Sequence, residues 1–312
     1  MGLGAPALSP PAPLRAAERG VQNLENPMLT ETFHSIATAA RNVFRNWPSM
    51  LLMAAVYASL LALLYLLVAI REATLPQVIL TFLFAVAAPL LFFILQTMIA
   101  SGSARQIAKE DTAETEQLTA GLLLKKSLTS FWKLILISLP LIALAILIAY
   151  LLGKAQNYFG QNINEPAIST RTLAPQPNAS PARPINWRVA LFSTIRYLAF
   201  GLVLPLAAIH LWLATVRDGL GAAVRKIASL LSRAFAPQSV LIYIAGFLVF
   251  AVAPYFLLFK TTQSQHAWLE ISFLVARLLV VFALTLFGWT ITVRALGRSS
   301  SSAQPEPANE AA

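Results

Sequence analysis

Six apolar runs, each close to the length of a membrane crossing, constrain this chain more than any other feature. Ser49–Ile70 has 22 residues without a charge, Val78–Ala100 has 23, and Leu134–Leu152, Tyr197–Val216 and Val240–Phe259 have 19, 20 and 20. At a rise of 1.5 Å per residue, about 20 helical residues cross the ~30 Å hydrocarbon layer. The sixth run, Leu278–Val293, has 16 residues, but Ile271–Ala276 continues it upstream of Arg277. A span of Ile271–Val293 then holds one arginine within its first two turns, where the side chain can snorkel to the interface. Leu, Ala and Phe fill these runs without the period-two alternation of barrel strands. In lipid every backbone polar group must be satisfied within the structure, so helices follow. The composition agrees: 57% of residues are hydrophobic and 12% charged, whereas soluble domains carry about 25% charged residues.

The expected fold is therefore all-α, a polytopic transmembrane bundle of six spans at about 49–70, 78–100, 134–152, 197–216, 240–259 and 271–293. Residues 1–30, rich in Ala and Pro, read as a disordered tail without a signal-peptide core, and residues 299–312 as a second tail. Between them lies one domain, 31–298, with a long extracytoplasmic loop, 153–188, full of Asn, Pro, Gln and Ser.

Orientation follows from the basic residues. Arg15, Arg19, Arg41 and Arg45 precede the first span; Arg105, Lys109, Lys125 and Lys126 lie between the second and third. Arg217, Arg225, Lys226 and Arg233 lie between the fourth and fifth, and Arg294 and Arg298 end the sixth. The two short loops on the other side hold Arg71 and Lys260. The positive-inside rule places both termini in the cytoplasm, the membrane being the cell membrane. The net charge of +10 thus marks contact with anionic lipid head groups; no arginine stripe with interleaved aromatics or helix-turn-helix speaks for nucleic acid.

Three segments ahead of odd-numbered spans share a pattern. In Phe33–Trp47 the residues Phe33, Ile36, Ala37, Ala40, Phe44 and Trp47 recur at helical spacing, with His34, Arg41 and Arg45 off the stripe. Leu220–Phe235 repeats this with Leu220, Val224, Ile227, Ala228, Leu231 and Phe235. The middle copy, Leu118–Trp132, is less regular. Each ends in an aromatic and runs into a span, so the chain reads as three copies of a basic interfacial helix followed by a transmembrane hairpin. In the second helices of the last two copies, arginines 21 positions apart bracket the span: Arg196 and Arg217, Arg277 and Arg298.

The segments ARNVFRNWPSMLL and RKIASLLSRAFAPQSVLI, opening paired spans, resemble the YciC-like and glycerophosphodiester phosphodiesterase membrane-domain families over about residues 30–295. The resemblance implies a multi-pass bacterial membrane protein. It carries over no catalytic residue, because phosphodiesterase activity in such proteins belongs to a separate soluble domain.

Four residues are candidates for more than packing. Arg196 and Arg277 sit near the extracytoplasmic ends of their spans and read as snorkelling anchors, the alternative being an anion site. His210 and Gln96 are the most polar side chains deep in their spans, and read as interhelical hydrogen-bonding groups. Pro89, Pro140, Pro205 and Pro254 each sit inside a different span and invite kinks. The chain has no cysteine, and none of the H-E-x-x-H, P-loop or G-x-S-x-G motifs, so no catalytic residue, metal site or cofactor is expected. The expected role is a non-enzymatic membrane-organising or accessory protein, with a channel or transporter for a small or anionic solute as the alternative.

Overall fold

The computed structural model describes residues 27–70, 74–111, 120–160, 187–260 and 266–302, and every regular element among them is helical. Helix α1 covers Pro27–Arg45, α2 Trp47–Ala69, α3 Leu75–Asp111 and α4 Ala120–Gly160. Helices α5 (Trp187–Leu198) and α6 (Leu204–Asp218) are joined end to end by a π-helical turn, Ala199–Val203. Two short helices follow, α7 (Leu220–Arg225) and α8 (Ile227–Ala234). Helices α9 (Pro237–Phe247) and α10 (Ala253–Phe259) are joined by a second π turn, Leu248–Val252, and α11 covers Ala267–Ser302.

Six segments are long and apolar enough to cross a membrane: Trp47–Ala69, Leu75–Ala104, Gly121–Tyr158, Ala190–Asp218, Pro237–Phe259 and Trp268–Ser299. Each contains the corresponding run of the sequence, except that the first stops at Ala69 with Ile70 as its extended cap, and the chain is a six-span helical membrane protein. Several boundaries differ from expectation because a helix does not stop where apolarity stops. Residues 27–30, expected in the tail, already belong to α1, and residues 153–160, expected in the long loop, continue α4. No proline interrupts Lys154–Gly160, so the backbone ladder runs on. Residues 1–26, 161–186 and 303–312 lie outside the described part, and with them most of both tails and of the loop.

The fourth span is the hub. Half of its most apolar stretch is buried, against 11–17% for the other five. Helix α6 packs on α3, α4, α7 and α8, while α11 packs on α1, α3, α9 and α10. The largest buried cluster joins Met50, Met53, Met98, Ile99, Leu206, Ile209, Ile242 and Leu296. Large apolar side chains such as Phe82, Ile146, Phe256 and Leu279 point outward and are exposed, as lipid-facing side chains must be.

The repeat is realised in its first and third copies. Asn46 breaks the chain between α1 and α2, where Pro48 stands in the first turn; Ala236 breaks it before α9, which opens on Pro237. Proline fits a first turn, because its missing N–H has no partner there, and it disfavours helix in the residue before it. The middle copy lacks that proline. Its Trp132-Lys133-Leu134 runs on without a break, so the expected separate interfacial helix is instead the start of the 41-residue α4. The third copy differs too, being split into α7 and α8 at Lys226.

The amphipathic stripes are shared between the bundle and its outside: Ile36 and Leu220 pack against the buried clusters, and Phe44 stacks on Phe287 of α11 with ring centroids 5.5 Å apart. Phe33 and Phe44 on α1 and Val224, Ile227 and Phe235 around α7 and α8 are exposed, while Ala39, Val43, Ala223, Leu230 and Ala234 on the adjacent face are buried. The boundary aromatics Trp47 and Trp132 are exposed as well. The end of the bundle bearing α1, α7 and α8 is called the basic end below.

Candidate functional site

Between the spans lies an open central cavity of about 500 Å³, to which all six contribute walls. Tyr57 comes from the first span, Gln96 from the second, Leu141 from the third, Ala208 and Trp212 from the fourth, Phe250 from the fifth and Trp289 from the sixth. Small-molecule sites occupy about 300–1,000 Å³. None of the lining side chains is charged.

Its polar groups are tied to one another across helix contacts. Trp289 Nε1 donates to Gln96 Oε1 at 2.9 Å, joining the sixth span to the second. The hydroxyls of Tyr57 and Thr285 lie 3.0 Å apart, joining the first to the sixth. Thr285 Oγ1 donates back to the Val281 carbonyl at 2.9 Å, which makes the Tyr57 hydroxyl the donor. Trp212 Nε1 donates to Ser138 Oγ at 2.8 Å, joining the fourth span to the third. Buried polar groups satisfied in this way cost little and fix the register of the helices around them. What remains facing the cavity is mostly hydrocarbon and aromatic ring.

Both π turns adjoin this cavity, and proline explains each. Pro205 and Pro254 follow the turns Ala199–Val203 and Leu248–Val252 at the same offset, and the two neighbours Leu204 and Phe250 line the cavity. A helix-interior proline removes the hydrogen bond to the carbonyl four residues back and collides with it; widening the turn relieves the collision. For Pro205 that carbonyl belongs to Gly201, and the Tyr243 hydroxyl of the fifth span donates to it at 2.9 Å. The orphan left by one helix is thus satisfied by its neighbour, as membrane helices require.

The four residues singled out in the sequence do not converge. Gln96 lines the central cavity and is the interhelical hydrogen-bonding group it was expected to be. His210 lies on another face of α6, buried with 2% of its surface exposed, and its Nε2 has no partner. The interhelical hydrogen bond expected of His210 is not made through this nitrogen. Arg196 is exposed, away from both. Arg277 is half-buried and its Nη1 donates to the Lys260 carbonyl just past the end of α10. It satisfies one of the carbonyls a helix leaves unpaired at its C-terminus, a tie between two spans beyond simple anchoring.

Sequence reasoning passed over Tyr57, Trp212, Thr285 and Trp289. A signal existed for the two tryptophans: both lie inside spans, whereas membrane tryptophans gather at the interfaces. No family model, no curated protein and no solved structure matches this chain. The function of the site rests on its own chemistry.

Proposed function

We propose that the protein is a non-enzymatic membrane-organising protein of the bacterial inner membrane that admits an apolar chain, such as a lipid acyl chain, into its central cavity. The supporting observation is the cavity wall itself, drawn from all six spans and free of charged side chains. An ion entering there would lose its hydration without gaining a partner, at a cost of several kcal/mol. A hydrocarbon chain loses no hydration on leaving the bilayer and meets van der Waals contact with Leu141, Phe250 and Leu286. The basic end, with Arg41, Arg45, Arg225 and Lys226 exposed, meets the anionic head groups of the cytoplasmic leaflet.

Photo-crosslinking decides this reading. A phospholipid with a diazirine near the middle of its acyl chain should label Leu141 or Ala208 in the full protein. Filling the cavity by Ala208→Trp should lower that labelling about tenfold, equivalent to ~1.4 kcal/mol. Labelling confined to outward residues such as Ile146 and Phe256, and indifferent to Ala208→Trp, would end the proposal. The two π turns beside the cavity favour one further reading, a transporter, since broken helices accompany transport sites. Solute uptake into proteoliposomes that Ala208→Trp blocks would establish it.

The orientation that goes with this proposal has both termini in the cytoplasm. A phosphatase reporter active only outside should give signal when fused after Pro175 and none when fused after Arg298. The opposite pattern would invert the topology.

A further inference from the structure

The amide of Gln96 is only half used by the helix contacts around the central cavity. Its two ends are told apart by their neighbour. Trp289 Nε1 can only donate, so the atom 2.9 Å from it is Oε1, and the amide nitrogen is turned the other way. Among the described residues this is the one hydrogen bond of the Gln96 side chain, so both N–H groups of Nε2 lack an acceptor. Gln96 is 5% exposed. Its nitrogen is nevertheless not sealed among packed side chains, as the Ser101 hydroxyl of the same helix is, and the space it reaches is the cavity that Gln96 lines. We infer that Gln96 Nε2 holds the uncharged carbonyl oxygen of an apolar ligand. This rests on the reading of the cavity as a site for an apolar chain, and it adds the polar group that such a chain carries.

The packing sets the donor at the closed end of the cavity. Directly beyond it toward the basic end, Thr97, Met98 and Ile99 of α3 and Thr290, Val293 and Arg294 of α11 are all buried. No ligand passes through that packing. In the other direction α4 offers Leu141, Ile142 and Ala145 to the cavity, and Ile142 is 44% exposed, so the wall is open to lipid there. A ligand therefore enters with its carbonyl leading and its chain trailing outward. The lining of α6 rises about 12 Å from Leu204 to Trp212, at 1.5 Å per residue. At ~30 Å³ for each water-sized group, the cavity has room for roughly 16 of them. That is a carbonyl head with a ring or a length of chain behind it.

The chemistry selects among polar heads. A carboxylate or ammonium would lose its hydration with no opposite charge in the lining. A pure hydrocarbon would leave both N–H groups of Nε2 without an acceptor. A carbonyl oxygen has two lone pairs and no proton, so it accepts from Nε2 and brings no donor that needs a partner of its own. The aromatic pairs Phe92–Trp212 and Phe250–Trp289, with centroids 6.2 and 5.1 Å apart, give the rest of the ligand rigid apolar walls. Such a carbonyl comes from a fatty acyl ester of a small alcohol or from the ring of a quinone with an apolar tail.

Competition in the full protein, purified in neutral detergent, tests this. Labelling by the diazirine phospholipid is measured against two matched pairs of probes: methyl palmitate with octadecane, and decylbenzoquinone with decylbenzene. In one pair or both, the carbonyl probe should compete about tenfold better than its hydrocarbon partner, as one net hydrogen bond implies. The pair that discriminates names the source. Gln96→Leu alone would strand Trp289 Nε1, so it is combined with Trp289→Phe; removing both partners leaves no orphan and should keep the fold. In the double variant the hydrocarbons should still compete and the carbonyl preference should vanish. Equal competition within both pairs by the unaltered protein would overturn the carbonyl site and leave the apolar cavity standing. Failure of all four probes to compete would overturn both. A carbonyl preference that survives in the double variant would place the donor elsewhere and overturn the role of Gln96.

Discussion

Replacing Gly246 by alanine is expected to be among the most damaging single-methyl changes in the protein. Gly246 lies in α9 where it crosses α11, and a β-carbon there would sit 2.8 Å from Thr292 Cβ and 2.7 Å from its Cγ2. Carbon atoms prefer about 3.5–4.0 Å. Thr292 cannot swing aside freely, because its hydroxyl donates to the Gly288 carbonyl at 2.7 Å and its β-branch restricts χ1. The helices must separate instead, loosening contacts that include the T-shaped pair of Phe250 and Trp289, 5.1 Å between ring centroids. Overpacking of this kind costs roughly 1–3 kcal/mol. The thermal midpoint in detergent should fall for Gly246→Ala and fall further for Gly246→Val. Thr292→Gly should rescue Gly246→Ala, since it removes the colliding atoms. An unchanged midpoint for Gly246→Ala, or no rescue, would show that α9 and α11 do not pack this closely.

That close approach was not legible in the sequence, and the reason is general to this fold. Long uncharged runs declare themselves because the bilayer sets their length. The six spans and the helical class could therefore be read directly. Which face of a span meets which neighbour is another matter: Leu and Phe suit lipid and protein interior equally well, so periodicity loses its meaning inside the membrane. The central cavity depends on Tyr57, Gln96, Trp212 and Trp289 meeting from four spans, and only Gln96 was conspicuous by its polarity. The prolines were legible individually. Their consequence, a π turn whose freed carbonyl is taken up by Tyr243, needs a neighbour 42 residues away.

The interfacial segments show the opposite case, where the pattern was legible and its partner was mistaken. Phe33, Ala37 and Phe44 do form an exposed stripe, although Phe44 also stacks on Phe287 of α11. Ala39 and Val43, buried and off that stripe, hold α1 to the bundle together with Ile36 of the stripe. A basic amphipathic helix between lipid and protein must present two apolar faces. The middle copy was misjudged for a simpler reason. Without a proline at Lys133, nothing separates its basic turn from the span that follows.

Arg294 is the sharpest departure, and it yields a prediction of unusual sign. Counted in the sequence only among the basic residues that set the orientation, it is 2% exposed, and its Nε and Nη1 have no hydrogen-bond partner. Gly102 makes room for it: a β-carbon there would lie 3.0 Å from Arg294 Nη2. A buried cation without a carboxylate or a full set of acceptors costs several kcal/mol, and among the described residues no carboxylate pairs with it. Arg294→Met keeps most of the side-chain volume and removes the charge. It should raise the stability of the protein in detergent by about 1–4 kcal/mol, the range for exchanging buried ionic groups for apolar ones of similar volume. Arg294→Lys, which keeps a charge on a more strongly hydrated head, should give no such gain. Most substitutions in a packed core destabilise, so a higher midpoint for Arg294→Met than for the unaltered protein would be diagnostic. A midpoint at or below that of the unaltered protein would mean that the guanidinium is compensated where it sits, and the account of it as an unpaired buried charge would be wrong.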